Sequence, residues 1–157
     1  MRWPLHNIVY FAVTVLITLA APDQASAQFK QSSIGATVTS VDVAYAKARS
    51  GQLVLVDIRT PDEWRKTGVP ASGHTITMHQ DFRIFIKALT KATGNDRTRP
   101  VGLICATGVR SSYLQRVLRK KGFTNVVNVV EGMMGSRYGR GWLRKKLPTR
   151  AWSGGIR

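Results

Sequence analysis

The residue with the clearest chemical potential is Cys105, the single cysteine among 157 residues. It follows the apolar run Val101–Ile104, which predicts a buried strand, and a short loop then leads to Arg110-Ser111-Ser112, which predicts the start of a helix. Such a loop can turn its backbone N–H groups inward, and the helix adds the positive end of its dipole. Both effects stabilise a thiolate, so the pattern predicts a nucleophilic sulfur.

Cys105 also has a purely structural interpretation, because free cysteine is among the residue types most often buried in cores. The composition of the loop favours the reactive interpretation, since Gly108 permits backbone geometry that a Cβ would resist. Neither His74 nor His79 has a cluster of other possible metal ligands at suitable spacing, and the chain has no second cysteine. We therefore expect neither a metal site nor a cofactor.

Strand-like and helix-like patterns alternate along the chain, which predicts an α/β domain with a mostly parallel sheet covered by helices on both faces. Ligands of such sheets bind beyond the carboxyl ends of the strands, where Asp57, Cys105 and Glu131 all fall. The predicted strands cover 53–58, 75–78, 101–104 and 126–130, and the predicted helices include 40–49, 81–92 and 110–121.

The segment Thr60-Pro61-Asp62-Glu63 predicts the start of a further helix. Thr60 is expected as the N-cap, Pro61 at the first helical position and Glu63 as the partner that completes a capping box. This local role is sufficient by itself to explain why Glu63 is present.

With these residues laid out, the chain resembles the rhodanese-like family of single-domain sulfurtransferases over about residues 39–149. The resemblance implies one rhodanese-like domain. It is carried by Leu-Val-Leu-Val-Asp57-Ile-Arg59 with Pro61-Asp62-Glu63-Trp64, by Cys105-Ala106-Thr107-Gly108-Val109-Arg110-Ser111, and by Val129-Val130-Glu131-Gly132 with Gly141-Trp142 and Leu147-Pro148.

The resemblance implies that Cys105 takes the outer sulfur of a small anionic donor such as thiosulfate and holds it as a persulfide. A nucleophilic acceptor, either a thiol or a cyanide-like molecule, then collects the sulfur. Inward N–H groups of the loop would stabilise the charge of the thiolate and the persulfide. The residues expected to bind the substrate are Ala106, Thr107, Gly108, Val109, Arg110 and Ser111.

Arg110 has two possible roles, either facing the substrate anion or bracing the loop through acidic partners. The resemblance favours the brace, with Asp57 and Glu63 as candidate partners and Arg59 as a further member of the bracing group. The alternative for Asp57 and Arg59 is an ion pair at the end of their strand, with a structural role only.

Loop length separates possible reactions, because rhodanese-like loops have four residues between cysteine and arginine, whereas related phosphatases and arsenate reductases have five. This chain has four residues between Cys105 and Arg110, which favours sulfur chemistry. Many family members carry a basic residue directly after the cysteine, where this chain has Ala106, so the physiological donor stays open. The alternative function is a catalytically silent module that binds a protein partner or a small anion.

The chain carries a formal net charge of +16, from 24 Lys and Arg residues against 8 Asp and Glu residues. This charge favours anionic substrates or an acidic protein partner. Aromatic residues do not interleave with the basic clusters at 116–121 and 137–146 in a recognised nucleic-acid pattern, so no nucleic-acid partner is expected. An apolar fraction of 43% suits one packed domain.

The N-terminus reads as a secretory signal, because Arg2 precedes the apolar run Ile8–Ala21 and Ala25-Ser26-Ala27 offers small residues for cleavage. The run is shorter than the roughly 20 residues of a membrane-spanning helix, although an uncleaved anchor is the alternative. We expect a periplasmic or secreted protein with no stable membrane span after cleavage near Ala27. The predicted segments are a signal peptide (1–27), a flexible lead (28–38), the domain (39–150) and a basic tail (151–157).

Overall fold

The computed structural model describes residues 37–154. The predicted signal peptide, most of the predicted lead and the last three residues of the predicted tail lie outside the described residues, so cleavage and export stay predictions. No helix within residues 37–154 is both long and apolar enough to cross a membrane.

A parallel five-stranded sheet forms the centre of the described domain, which confirms the predicted fold class. The strands are β1 (Val38–Thr39), β2 (Val54–Asp57), β3 (Val69–Pro70), β4 (His74–Thr75), β5 (Val101–Ile104), β6 (Val126–Val129) and β7 (Thr149–Arg150). The strand order in the sheet is β1-β6-β5-β2-β4, and β3 and β7 form a separate antiparallel pair. The helices are α1 (Val41–Arg49), α2 (Pro61–Thr67), α3 (Phe82–Ala92), α4 (Val109–Lys120) and α5 (Gly141–Arg144).

The edge strand β1 begins one residue before the predicted start of the domain. Val38, predicted in the flexible lead, pairs with Asn128 of β6, and the Asn128 N–H donates to the Thr37 carbonyl at 3.0 Å. Two strand residues are too few to produce a recognisable alternation of apolar and polar positions. The strand exists because β6 offers it a row of backbone hydrogen-bonding groups.

Apolar side chains alternate between the two faces of the sheet and build a core on each, as expected when helices cover both faces. In β2, Val54 and Val56 face the core that includes residues of α3 and α4, whereas Leu55 faces the core that includes residues of α1 and α5. In β5, Ile104 belongs to the second core. Cys105, the next residue, belongs to the first.

Local capping starts three of the helices where the sequence predicts them. The Ser40 and Asp81 side chains accept backbone N–H bonds at the starts of α1 and α3. The Thr60 hydroxyl accepts from the Glu63 N–H at 3.3 Å, and the Glu63 Oε2 accepts from the Thr60 N–H at 3.0 Å, which completes the predicted capping box of α2. The box places Glu63 in the first turn of this helix.

A buried ion pair fixes α2 to the end of β2. The Arg59 guanidinium donates to the Asp57 carboxylate at 2.6 Å, and the two side chains are 1% and 0% exposed. The same guanidinium donates to the Thr67 hydroxyl and to the Gly68 carbonyl, both at 2.8 Å, at the C-terminal end of α2. Arg59 thereby ties both the strand and the helix end to one buried charge pair.

We predict that Arg59→Met lowers the free energy of unfolding by about 3–5 kcal/mol, because it leaves the Asp57 carboxylate buried without its counter-charge. Urea denaturation at neutral pH measures the change. The matched control is Arg83→Met, since Arg83 pairs with Asp81 while its own side chain is 94% exposed. The control is expected to change stability by less than about 1 kcal/mol, and equal losses in the two variants would contradict the assignment.

Candidate active site

Cys105 lies immediately beyond the carboxyl end of β5, as the sequence predicts, and is 1% exposed. Its side chain packs in the core that α3 and α4 cover. The helix α4 starts at Val109, only four positions after the cysteine. Its N-terminal dipole therefore acts close to the sulfur.

Inward donors surround the Cys105 sulfur. The Gly108 N–H donates to Sγ at 3.2 Å, and the Ser111 hydroxyl lies 3.3 Å from Sγ. Burial raises the pKa of the Cys105 thiol, but hydrogen bonds from the Ser111 hydroxyl and from the backbone N–H groups of Ser111, Thr107 and Gly108 outweigh it. The net effect lowers the pKa. The loop thus favours the thiolate, which is the reactive form of the sulfur.

Asn128 holds this arrangement in place, a role that its position in a strand did not reveal. Its Nδ2 donates to the Gly108 carbonyl at 3.1 Å, and its Oδ1 accepts from the Ser111 hydroxyl at 2.7 Å. Ser111 has one hydroxyl proton and two acceptors within reach, the Asn128 oxygen and the Cys105 sulfur. Ionisation of the thiol strengthens the bond to sulfur, because a charged acceptor attracts the proton more strongly.

Two glycines let a second loop approach the cysteine loop closely. Gly108 has φ +87°, and a Cβ there would lie 2.4 Å from the Val130 carbonyl oxygen. Gly132 has φ +66°, and a Cβ there would lie 2.4 Å from the Ala106 carbonyl oxygen. The Met133 N–H also donates to the Cys105 carbonyl at 2.8 Å. Residues 130–134 therefore hold the backbone of the cysteine loop.

Arg110 forms the predicted brace with Glu63. Its guanidinium makes two parallel bonds to the carboxylate, at 2.6 and 2.8 Å, and the two side chains are 28% and 30% exposed. The hydrogen bonds from Arg110 lower the pKa of Glu63 to about 2. The hydrogen bonds to Glu63 raise the pKa of Arg110, and attraction to the Cys105 thiolate adds to this rise. The arginine thus fixes the loop and also contributes positive potential at the sulfur.

His79 joins the same group, although its spacing in the sequence gave no sign of this. Its Nε2 lies 3.3 Å from the Arg110 guanidinium, which has only donors, so Nε2 acts as the acceptor. Arg110 and His79 are 31 positions apart, so their contact leaves no local pattern in the sequence.

Asp57 and Arg59 pair with each other, and Arg110 pairs with Glu63 instead. The Asp57 carboxylate accepts from Arg59, and the pair secures α2 as described above. The structure therefore shows the strand-end ion pair that the sequence left as the alternative. The pair secures α2, the helix that carries Glu63.

Glu131 lies at the predicted edge of the sheet but serves the scaffold. Its carboxylate is 2% exposed and accepts from the backbone N–H groups of Val41 and Gly141 and from the Lys145 ammonium. The contacts tie the second loop to the starts of α1 and α5. Glu131 is therefore a packing residue.

The remaining predicted binding residues divide between the interior and the surface. Gly108 and Ser111 are buried, Ala106 is partly exposed, Thr107 is exposed and Val109 is 73% exposed. Within the described part of the chain, no group of three or more His, Cys, Asp and Glu side chains is placed to hold a metal ion. The arrangement can hold negative charge on the buried sulfur of Cys105, while Thr107 and Val109 of the same loop face solvent.

We predict that Ser111→Ala shifts the pH profile of Cys105 alkylation by iodoacetamide to higher pH and slows the reaction at pH 7 by roughly 3- to 10-fold, because one donor to the thiolate is lost. The matched control is Ser112→Ala, whose hydroxyl accepts from Arg116 instead. Identical profiles for Ser111→Ala and the unmodified protein would show that the hydroxyl does not stabilise the thiolate.

A second prediction concerns the brace and acid stability. Since Arg110 lowers the pKa of Glu63 from 4.5 to about 2, the ionised carboxylate contributes stability that is complete above pH 4.5 and is lost as the pH falls through about 2. The difference in unfolding free energy between the unmodified protein and Glu63→Gln should therefore shrink as the pH falls below about 4.5. Urea denaturation across this range measures it.

Asp62→Asn is the control for this measurement, because the Asp62 side chain is 75% exposed and pairs only with Arg65 in the same helix turn. It should show little of the pH-dependent difference. A difference for Glu63→Gln that stays constant down to about pH 3 would argue against a stabilising charge pair.

Comparison with known proteins identifies relatives of low sequence identity. The Uncharacterized protein RC0915 of Rickettsia conorii is 26% identical over 102 residues, which cover 60% of this chain and 80% of that protein. The polysulfide-sulfur transferase homodimer of Wolinella succinogenes is 25% identical, with a TM-score of 0.53, and the match covers 83% of this chain and 89% of that one. The human single-domain sulfurtransferase TSTD1, at 22% identity and a TM-score of 0.53, shows the same fold over 71% of this chain and 98% of its own.

The sequence model of the rhodanese-like domain matches residues 40–136, which is more than half of the chain. The match includes the ends of β2 and β5, the cysteine loop, Glu63 and the second loop at 130–134. This chain belongs to the rhodanese-like domain family.

Proposed function

We propose that the protein is a sulfurtransferase that carries sulfane sulfur as a persulfide on Cys105. The observation that carries the proposal is a buried cysteine whose sulfur accepts hydrogen bonds from Gly108 and Ser111 and whose pKa is lowered. A cysteine with only a packing role has no need of such donors. Membership of the rhodanese-like family supports the same reaction class.

In the first half-reaction, the Cys105 thiolate attacks the outer sulfur of the donor. With thiosulfate, the new Cys105 S–S bond forms as the donor S–S bond breaks, and sulfite leaves with the bonding electron pair. The persulfide keeps one negative charge on its terminal sulfur. The same inward N–H groups, with the dipole of α4, are positioned to stabilise this charge.

In the second half-reaction, a thiolate or cyanide attacks the terminal sulfur of the persulfide. The S–S bond to Cys105 breaks, and its electron pair returns to the cysteine as the thiolate. No net oxidation or reduction of the protein occurs over the cycle. Since the loop stabilises the thiolate, it also makes Cys105 a better leaving group in this step.

The donor class follows from the charges around the loop. Ala106 supplies no cation, and the Arg110 charge is shared with Glu63. A dianion such as thiosulfate therefore meets less compensating charge than a loop with a second basic residue would provide. We include polysulfide as a donor to be compared with thiosulfate, since the similar Wolinella succinogenes protein is described as a polysulfide-sulfur transferase.

Export of the mature protein to the periplasm or medium forms part of the proposal, on the basis of the N-terminal signal pattern of residues 1–27. The net charge of +16 supports a small anionic donor and, separately from the thiol or cyanide-like acceptor, an acidic protein partner.

We predict that incubation with thiosulfate or polysulfide adds one sulfur, about 32 Da, to the protein, and that cyanide or a small thiol removes it. Intact-protein mass spectrometry detects the adduct. Cys105→Ser should abolish it, whereas Ser112→Ala should leave it unchanged because its hydroxyl contacts Arg116.

If neither donor produces the adduct while the folded protein still reacts with iodoacetamide, the sulfurtransferase proposal is wrong. Partner capture that is unchanged in Cys105→Ser would then favour the silent binding module. Hydrolysis of a phosphate ester that depends on Cys105 would instead favour phosphatase chemistry, which the four-residue loop argues against.

A further inference from the structure

A cavity separate from the cysteine loop lies between α2, the segment that follows β4, and the C-terminal segment of the described chain. Its volume is about 160 Å³, and its walls include Trp64, Ile76, Gln80 and Trp152. It has no wall residue in common with the loop from Cys105 to Ser111. A role for this cavity would therefore be distinct from the sulfur-transfer step.

Three buried donors without acceptors belong to residues that line this one cavity. Within residues 37–154, the buried side-chain nitrogen and oxygen atoms that lack a hydrogen-bond partner are Trp64 Nε1, Gln80 Nε2 and Trp152 Nε1. All three residues form its walls, and Trp64 is only 3% exposed. Buried N–H groups in folded proteins are nearly always paired, so a cluster of three in one cavity calls for an occupant with acceptor atoms.

The donors restrict the chemistry of the occupant. An indole N–H can only donate, so Trp64 and Trp152 require acceptors on the ligand, whereas the Gln80 amide can present either of its ends. No carboxylate occurs among the described residues that line the cavity. The Arg65 guanidinium lies 5.5 Å from the centre of the Trp152 ring, and it also pairs with the exposed Asp62 carboxylate. The lining therefore offers donors and no negative charge, which suits a group with acceptor oxygens and disfavours a cation.

The walls also restrict the body of the occupant. The two indole rings lie with their centres 5.3 Å apart and tilted by 57°, and Pro61 and Ile76 add further apolar surface. A cavity of about this size accommodates a molecule as large as benzene. A strongly hydrated ion such as sulfate would lose its water shell against mostly apolar walls, which is unfavourable.

We propose that this cavity binds a small organic carboxylate with an apolar body, of about six non-hydrogen atoms, whose oxygens accept from the Trp64 and Trp152 indoles. The apolar body packs between the rings and Ile76. The site is separate from the Cys105 reaction, and the proposal does not depend on the sulfurtransferase activity.

Butyrate is the probe, and the indole N–H signals of the full-length protein, labelled with ¹⁵N-tryptophan, are the readout. Butyrate should move the signals of Trp64 and Trp152 in a saturable manner, with half-saturation at millimolar concentration. Trp142 is an internal control, because its indole already donates to the Pro148 carbonyl at 3.1 Å. Sodium chloride at equal ionic strength controls for the added salt.

Butyramide and sulfate test the class of ligand. Butyramide has the same size and shape but no charge, and sulfate has the charge but no apolar body, so both should bind at least several-fold more weakly than butyrate. Trp152→Phe keeps an aromatic ring, although a smaller one, and removes the donor. It should weaken the binding of butyrate by about 2- to 10-fold. Thermal unfolding shows whether this variant is folded, and the titration of the unmodified protein decides the proposal if it is not.

Three results would overturn the proposal. The first is the lack of saturable movement of the Trp64 and Trp152 signals with butyrate. The second is an affinity for butyramide equal to that for butyrate, which would indicate a neutral ligand. The third is a crystal structure in butyrate that shows ordered waters only in this cavity.

Discussion

Negative charge on a buried sulfur has to be balanced by dipoles, and the position of Cys105 at the end of β5 makes this possible. The residue is 1% exposed, so water solvates the thiolate poorly. Compensation comes from the backbone of the loop, from Ser111 and from the start of α4. These donors are effective only if the loop keeps its shape before the charge forms, because preorganised dipoles need no rearrangement during the reaction.

The shape of the loop depends on contacts from three sides. Asn128 fixes it from β6, the close approach of Gly132 supports it from the second loop, and the pairing of Arg110 with Glu63 anchors it to α2. The anchor is only as firm as α2 itself, which the pair of Asp57 and Arg59 ties to β2. A residue such as Arg59 therefore influences the sulfur through two intermediates without approaching it.

The proposed carboxylate cavity uses the same elements as this brace. Trp64 is adjacent to Glu63 in α2, and Gln80 is adjacent to His79, which contacts Arg110. The brace and the proposed carboxylate site therefore use different side chains of α2 and of the segment after β4.

The sequence alone determined the features that depend on near neighbours: the apolar strands, the helix caps at Ser40 and Thr60, and the strand-loop-helix setting of Cys105. It named Asp57 and Glu63 as possible partners of Arg110, and only the packing of α2 against the cysteine loop selected Glu63, 47 positions away. Asn128 and His79 were missed for the same reason, since their roles come from segments that meet only in the folded chain. Spacing along a chain encodes turns and periodic faces, whereas contacts between distant segments depend on how whole elements pack.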